Sequence, residues 1–100
     1  MSVYVVVQVT ITDRARYDRY QARFMEVFAQ FSGELIANDE QPQLVEGQST
    51  IDKIVLMRFP DKQGFFDWAT SPQYQAIVAD RQAGADLVVH LAESFSLPMS

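Results

Sequence analysis

The order of strand-like and helix-like stretches constrains this chain more than any other feature of its sequence. Residues 3–11 are mostly β-branched and aromatic, without Gly or Pro, which is typical of a strand. Residues 13–31 place their apolar side chains three and four positions apart, which predicts an α-helix with one apolar face. Strand patterns return at 34–39, 53–60 and 86–95, with a second helical region before the last. The order β-α-β-β-α-β predicts a ferredoxin-like α+β fold, an antiparallel sheet with helices on one face.

The predicted helices carry recognisable start signals. Thr12 or Asp13 can accept a hydrogen bond from an early N–H of the first helix. Asp61 can cap a short second helix in the same way. Ser71 followed by Pro72 predicts the start of one more helix, because proline is favoured at the first helical position.

Glycines and short irregular stretches separate these elements. We expect Gly33 to end the first helix in the left-handed conformation and Gly84 to close the last helix. Residues 44–47 are expected either to resume a strand or to form the arm of an edge hairpin, and residues 97–100 to form a tail.

The strands are apolar on both faces, which is unusual for a sheet that helices cover on one side only. One face is wholly apolar, for example at Val5, Met57 and Val89, and we expect it to meet the helices. The other face is also largely apolar, and soluble monomers rarely expose so large an apolar patch. A second copy would cover it, so we expect a homodimer in which two sheets face each other as an α+β barrel.

Gln8, Arg58 and His90 interrupt the second face, each on a different strand. We expect Gln8 and Arg58 to lie close together, near the carboxyl ends of two parallel neighbouring strands. Arg58 would then point into a cavity between sheet and partner, where it could hold an anionic or carbonyl ligand. Two alternatives stand beside this interpretation: Arg58 pairs with Glu34 or Glu46, or it reaches water at the mouth of the barrel.

His90 is the one histidine, and the chain has no cysteine. His90 is a candidate acid or base, although a lone histidine on an apolar strand is more often a hydrogen-bonded core residue. No metal site is expected, because the carboxylates do not cluster at ligand spacing. No cofactor is predicted, and His90 would be the one conventional ligand for a haem.

The charge balance bears on partners. The net charge is -5 without any run of Lys or Arg, which argues against nucleic acid and against anionic membrane surfaces. We interpret the apolar start as a strand rather than a signal peptide, because it lacks a basic flank and a small-residue cleavage site. We therefore expect one cytoplasmic domain over residues 1–100, with a second copy and a small molecule as its partners.

Several short motifs together resemble a known family. They are Val9-Thr-Ile-Thr-Asp13, Leu44-Val-Glu-Gly47, Phe59-Pro60 and Ser71-Pro-Gln-Tyr-Gln75 with Arg81. On these motifs, nearly the whole chain resembles the bacterial domain of unknown function 1330 (DUF1330), within the dimeric α+β barrel superfamily. The resemblance implies the ferredoxin-like fold and the dimer, and it implies no activity. Relatives in the superfamily include cofactor-free monooxygenases, muconolactone isomerases and haem-handling enzymes.

The chain departs from the family pattern at two places. Ser32-Gly33 stands where the family often has two glycines, and Arg58 stands where it often has an acidic residue. Within the pattern, Tyr74 and Arg81 fall on one helix flank, seven residues apart. If Arg81 does not belong to a ligand site, we expect it to form a surface ion pair with Asp80, Asp86 or Glu93.

Two hypotheses from different classes follow. In the first, the domain binds a small anionic or aromatic metabolite and carries out simple acid–base or oxygen chemistry without a metal. In the second, it is a non-catalytic dimerisation or binding module whose interior polar residues only fix the sheet register. The first hypothesis places Gln8, Arg58 and His90 in the ligand-binding site, with Trp68, Tyr74 and Arg81 near its mouth.

Overall fold

The computed structural model describes residues 1–95 and places helices and strands along them in the predicted order. The tail expected at 97–100 lies outside the described residues. The elements are β1 (Val3–Ile11), α1 (Arg14–Phe28), β2 (Glu34–Asp39), β3 (Lys53–Phe59), α2 (Lys62–Ala69), α3 (Pro72–Gly84) and β4 (Ala85–Glu93).

The sheet has the strand order β2-β3-β1-β4, and all neighbouring strands are antiparallel. The first and third strands are central, which confirms the ferredoxin-like fold. The crossover through α1 makes β1 and β2 run in the same direction, and the connection to β3 then reverses the chain. The prediction that Gln8 and Arg58 lie close together on parallel neighbours is therefore wrong. Gln8 lies opposite Ile54, whereas Arg58 lies opposite Tyr4 at the other end of the strand pair.

The predicted capping residues begin the helices. Asp13 and Asp61 each accept, through a side-chain oxygen, the backbone N–H three positions further on, at 3.2 and 2.8 Å. Ser71 does the same at 3.1 Å, and Pro72 occupies the first turn of α3. These bonds satisfy N–H groups that the first turn of a helix leaves without a partner.

The core lies between the helices and one face of the sheet. Val3, Val5 and Val9 of β1 are almost fully buried, and so is Phe59 of β3. The ring of Phe59 packs against Phe28 of α1, with ring centroids 5.8 Å apart. Burial of side chains of this size contributes about 1.5–3 kcal/mol each. The face that carries these side chains therefore meets the helices, as predicted.

Two glycines are required by close packing rather than by backbone conformation. Gly33 does not adopt the expected left-handed conformation, so that prediction is wrong. A Cβ atom at Gly33 would lie 2.6 Å from ring atoms of Phe28 and Phe59. At Gly84 a Cβ would lie 2.5 Å from the backbone nitrogen of Tyr17. Neither position has room for a methyl group.

The connection between β2 and β3 is a loop over residues 40–52, so the strand expected at 44–47 does not form. Gly47 in this loop has a φ of 91°, a conformation that glycine adopts without strain. Within residues 1–95, no helix combines the length and the apolar character needed to cross a membrane.

Candidate functional site

A cavity of about 220 Å³ lies between the helices and the helix-facing side of the sheet. Its walls are mostly apolar. Val5 and Val7 of β1 and Val55 of β3 form the sheet side, and Phe24 and Trp68 contribute aromatic rings from α1 and α2. Cavities with apolar walls and a few polar groups are the usual form of small-molecule sites.

The structure divides the six predicted site residues between the two sides of the sheet. Trp68, Tyr74 and Arg81 line the cavity together. Gln8, Arg58 and His90 do not line it. They lie on the opposite side of the sheet, which no helix covers and which we call the open face.

On the open face, Arg58 is held by a carboxylate. Its Nη2 atom donates to Oε1 of Glu34 at 2.6 Å, and the side chains are 41 % and 58 % exposed. The Glu34 carboxylate, with a smaller contribution from Tyr4, raises the pKa of Arg58. The alternative in which Arg58 pairs with Glu34 is therefore the arrangement in the structure. Gln8 and His90 are exposed on the same face.

Inside the cavity, two tyrosines and an arginine form a hydrogen-bonded chain. The hydroxyl groups of Tyr20 and Tyr74 are 2.9 Å apart, and Nη1 of Arg81 donates to the Tyr74 hydroxyl at 2.9 Å. The two hydroxyls carry two hydrogens, and their mutual bond uses one. Because Arg81 can only donate, the second hydroxyl hydrogen remains free for a ligand. Burial raises the pKa of Tyr20 well above its ordinary value, so this hydroxyl stays protonated.

Lys53, at the start of β3, is the cavity residue that sequence reasoning missed. It is only 3 % exposed, and its Nζ donates to Oε1 of Gln21 at 2.6 Å. The Nζ also lies 5.0 Å from the ring centroid of Tyr17. Burial lowers the pKa of Lys53, and the carboxylate of Glu40 opposes this shift. Among residues 1–95, Lys53 forms no ion pair within 4.0 Å.

Hydrogen-bond donors dominate the polar surface of the cavity. The Nε1 atom of Trp68 and the Nε atom of Arg81 are buried without a hydrogen-bond partner in the described part of the chain. Lys53 and Arg81 both line the cavity, and none of its described lining residues is Asp or Glu. Such an arrangement is suited to an anion, because oxyanions accept charge-assisted hydrogen bonds from several donors at once.

A signal for the missed residues was present in the sequence. Side chains alternate between the faces of a strand, so Lys53 shares the face of Val55, Met57 and Phe59. A lysine in that series marks a charge on the helix-covered side. Tyr17 and Tyr20 belong to the apolar series of the first helix, and both are buried. They also line the cavity, which a helical period alone does not indicate.

Comparison with known families confirms the resemblance found in the motifs. The model of the family described as a domain of unknown function, DUF1330, matches residues 2–95. None of the curated protein sequences matches this chain significantly.

Three solved structures illustrate the fold. RPA0582 from Rhodopseudomonas palustris, of unknown function, superimposes with a TM-score of 0.81 at 16% identity, over 96% of this chain and 84% of that one. SnoaB, a cofactor-independent oxygenase from Streptomyces nogalater, gives 0.66 at 16% identity, over 96% and 95% of the two chains. A dimeric ferredoxin-like protein of unknown function from Thermobifida fusca gives 0.65 at 17% identity, over 97% and 92%. At these identities the similarity establishes the fold alone.

Proposed function

This chain belongs to the DUF1330 family, and we propose that it binds a small aromatic anion in the cavity between its helices and its sheet. The observation that supports this proposal is the charge of the residues that line the cavity. Two cationic side chains, Lys53 and Arg81, line it among apolar walls, and no Asp or Glu is found among its lining residues within residues 1–95. The positive charge of this lining contrasts with the net charge of -5 for the whole chain.

The charge of the ligand follows from electrostatics. A charge–charge interaction is stronger in a partly buried site than in water, because the effective dielectric constant is lower. Arg81 forms no ion pair within the described residues, so an anionic ligand would supply the missing counter-charge. The free hydroxyl hydrogen of the Tyr20–Tyr74 pair and the unpaired Trp68 N–H would add neutral donors to the same ligand.

The size and shape of the ligand follow from the walls. An engineered cavity of about 150 Å³ in another protein holds benzene, so 220 Å³ accommodates one aromatic ring with a short substituent. The rings of Trp68 and Tyr74 lie 4.2 Å apart by centroid, and Phe24 lies edge-on to Trp68 at 5.9 Å. These rings offer faces and edges against which a planar ligand can pack.

Binding of matched probes tests the proposal. 3-Phenylpropanoate, 3-phenylpropanamide and 3-phenylpropylamine share one ring and one chain length and differ in charge. Isothermal titration calorimetry should show the carboxylate binding at least roughly tenfold more tightly than the amide, since one charge-assisted hydrogen bond contributes about 1.5–3 kcal/mol. Trp68 is the single tryptophan, so its fluorescence should change with the same binding curve.

Matched arginine variants locate the site. Arg81→Met should weaken carboxylate binding and reduce its preference over the amide. Arg23→Met removes an exposed arginine whose one ion pair within residues 1–95 is with Glu26, and it should leave binding unchanged. Equal affinity for all three probes, or equal effects of the two variants, would contradict the proposal.

The open face supports a second part of the proposal, a homodimer formed from this one domain. Val88 is 51 % exposed, and the less exposed Val6 and Leu56 lie on the same face. A protein of the same fold from Thermobifida fusca is described as dimeric. A second copy of the sheet would cover this apolar surface.

Light scattering across a dilution series tests the assembly. The wild-type chain should have the mass of a dimer, and Val88→Lys should shift it towards the monomer, because an unpaired charge would be buried in the interface. Val45→Lys is the matched control, since Val45 lies in the loop and is 89 % exposed. A wild-type monomer at every concentration would contradict the dimer.

A binding module without small-molecule chemistry is the second candidate function, and the Arg58–Glu34 pair favours it. This pair occupies the open face and joins β3 to β2, which is the role expected of a residue that fixes register. If none of the three probes binds while the dimer is stable, the module becomes the better description.

A further inference from the structure

We propose that Lys53 is a nucleophilic lysine that forms an imine with a carbonyl carbon of the ligand. This inference rests on the proposed function and narrows it. The ligand class becomes aromatic aldehydes and ketones that carry an acidic group, with Arg81 holding the acidic group.

The position of Lys53 carries the inference. The residue lines the cavity from the first position of β3, opposite Val9 of the neighbouring strand, and is 3 % exposed. A buried lysine usually pairs with a carboxylate, and within residues 1–95 this one has none. Its hydrogen bond goes instead to the amide oxygen of Gln21, a neutral acceptor that can bind the N–H of either protonation state of the amine.

The charges around Lys53 do not hold it firmly in the protonated form. Glu40 and Asp18 favour the ammonium form, while Arg14 opposes it. The Glu40 carboxylate is already engaged, at 2.6 Å by Arg14 and at 3.3 Å by the side-chain amide of Gln21. Burial is the largest influence and lowers the pKa of Lys53. A lysine desolvated in this way is a recognised form of activated nucleophile.

The chemical step balances with the atoms of the amine and the carbonyl alone. The lone pair of the neutral Nζ attacks the carbonyl carbon, a C–N bond forms, and the π electrons of the C=O bond move to oxygen. The two protons of the amine and the carbonyl oxygen then leave together as water, and a C=N bond remains. No oxidant, reductant or metal takes part in this step.

Reductive trapping tests the inference, because the chain contains only two lysines, Lys53 and Lys62. Lys62 is 58 % exposed and pairs with Glu93 at 3.3 Å, so it serves as the reference amine in the same molecule. The protein is incubated with 4-formylbenzoate and sodium cyanoborohydride near neutral pH, and modified peptides are quantified by mass spectrometry. Lys53 has two advantages over Lys62: its lowered pKa enlarges the neutral fraction, and the cavity would hold the aldehyde beside it at a high effective concentration. We expect modification of Lys53 at least roughly tenfold faster than that of Lys62.

Controls separate this inference from the proposed function on which it rests. Lys53→Arg should abolish labelling at position 53, and Lys62→Arg should leave labelling of Lys53 unchanged. If 3-phenylpropanoate binds but Lys53 is labelled no faster than Lys62, the nucleophile is refuted and the binding site stands. If Lys53 is labelled as fast by neutral 4-methylbenzaldehyde as by 4-formylbenzoate, the nucleophile is supported and the preference for an anion is refuted.

Discussion

The two faces of the sheet treat their cationic residues in opposite ways. On the open face, Arg58 is partly exposed and bonded to the carboxylate of Glu34. On the helix-covered face, Lys53 is buried and bonded to the neutral amide of Gln21. Both residues belong to β3 and lie five positions apart, so their side chains point to opposite faces of the sheet.

The difference bears on which of the two cations is available to a ligand. A cation with a carboxylate at hydrogen-bonding distance already has its counter-charge, and its removal disturbs only that pair. A buried cation without one costs stability, and a chain retains it more readily if another molecule supplies the charge. Arg58 attracts attention in the sequence because it interrupts an apolar strand, yet the structure directs the functional interpretation to Lys53.

The largest expected effect concerns the helix-covered face. Phe59→Ala should lower the free energy of unfolding by about 3–5 kcal/mol, because it removes a fully buried ring that packs against Phe28 and Trp68. Val88→Ala on the open face should change the free energy of unfolding by about 0.5 kcal/mol or less. Urea unfolding at a protein concentration where the monomer dominates measures both changes. Equal losses would show that the two faces are equally buried.

Lys53→Met should raise the free energy of unfolding by about 0.5–2 kcal/mol, because it replaces a buried cation with an apolar side chain of similar length. Urea unfolding at neutral pH measures the change. A loss of stability would mean that the bond to Gln21 outweighs the desolvation of the ammonium group, and the contrast between the two faces would fail.

The same variant should alter the pH dependence of stability. Burial lowers the pKa of Lys53 below 10.5, so over the range between the two values the unfolded chain holds a proton that the folded chain has lost. Unfolding then takes up a proton, and wild-type stability rises with pH towards 10.5. Lys53→Met should remove this rise. Burial also raises the pKa of Tyr17 to about 12, which lowers stability above pH 10, so the proteins are best compared below that value.

Tyr20→Phe should lower the free energy of unfolding by about 0.5–1.5 kcal/mol, the usual contribution of one intramolecular hydrogen bond. Tyr74 keeps its bond from Arg81, so the loss should not be larger. Tyr4→Phe, on the open face, is the matched control and should have a smaller effect. If the control has the larger effect, the hydroxyl chain does not stabilise the helix-covered side.

The smallest effect is expected for Arg58→Leu. Exposed ion pairs contribute little to stability, so urea unfolding of the monomer should be nearly unchanged. A large loss of stability that appears only where the dimer dominates would mean that Glu34 is left without a partner beneath a covering chain on the open face.

The sequence allowed the fold to be predicted because the fold depends on local patterns. Strand and helix periods, and the caps at Asp13, Asp61 and Ser71, are properties of a few neighbouring residues. The structure contains the three caps and the predicted elements, except the strand at 44–47. The direction of β3 relative to β1 was predicted wrongly, although the connections between strands determine it. The type of each element and its capping residue were therefore predicted better than the relative direction of neighbouring strands.

The candidate site was predicted only in part. Trp68, Tyr74 and Arg81 were assigned to one site from the sequence, and they lie together in the cavity. The position of the cavity depends on how far the helices stand from the sheet, which is decided by the volumes of many side chains at once. No short motif encodes that distance. Lys53 was missed because a charged residue at a strand end is usually expected at the surface.

The close approach at Gly84 has a consequence for motion. Because α3 meets the backbone of α1 there with no space for a methyl group, the two helices touch at that point without an intervening side chain. Such a pair of helices moves as one rigid body relative to the sheet. Transient opening of the cavity would then lift both helices together. In native-state amide hydrogen exchange, the slowest amides of α1 and α3 should therefore exchange at a common rate.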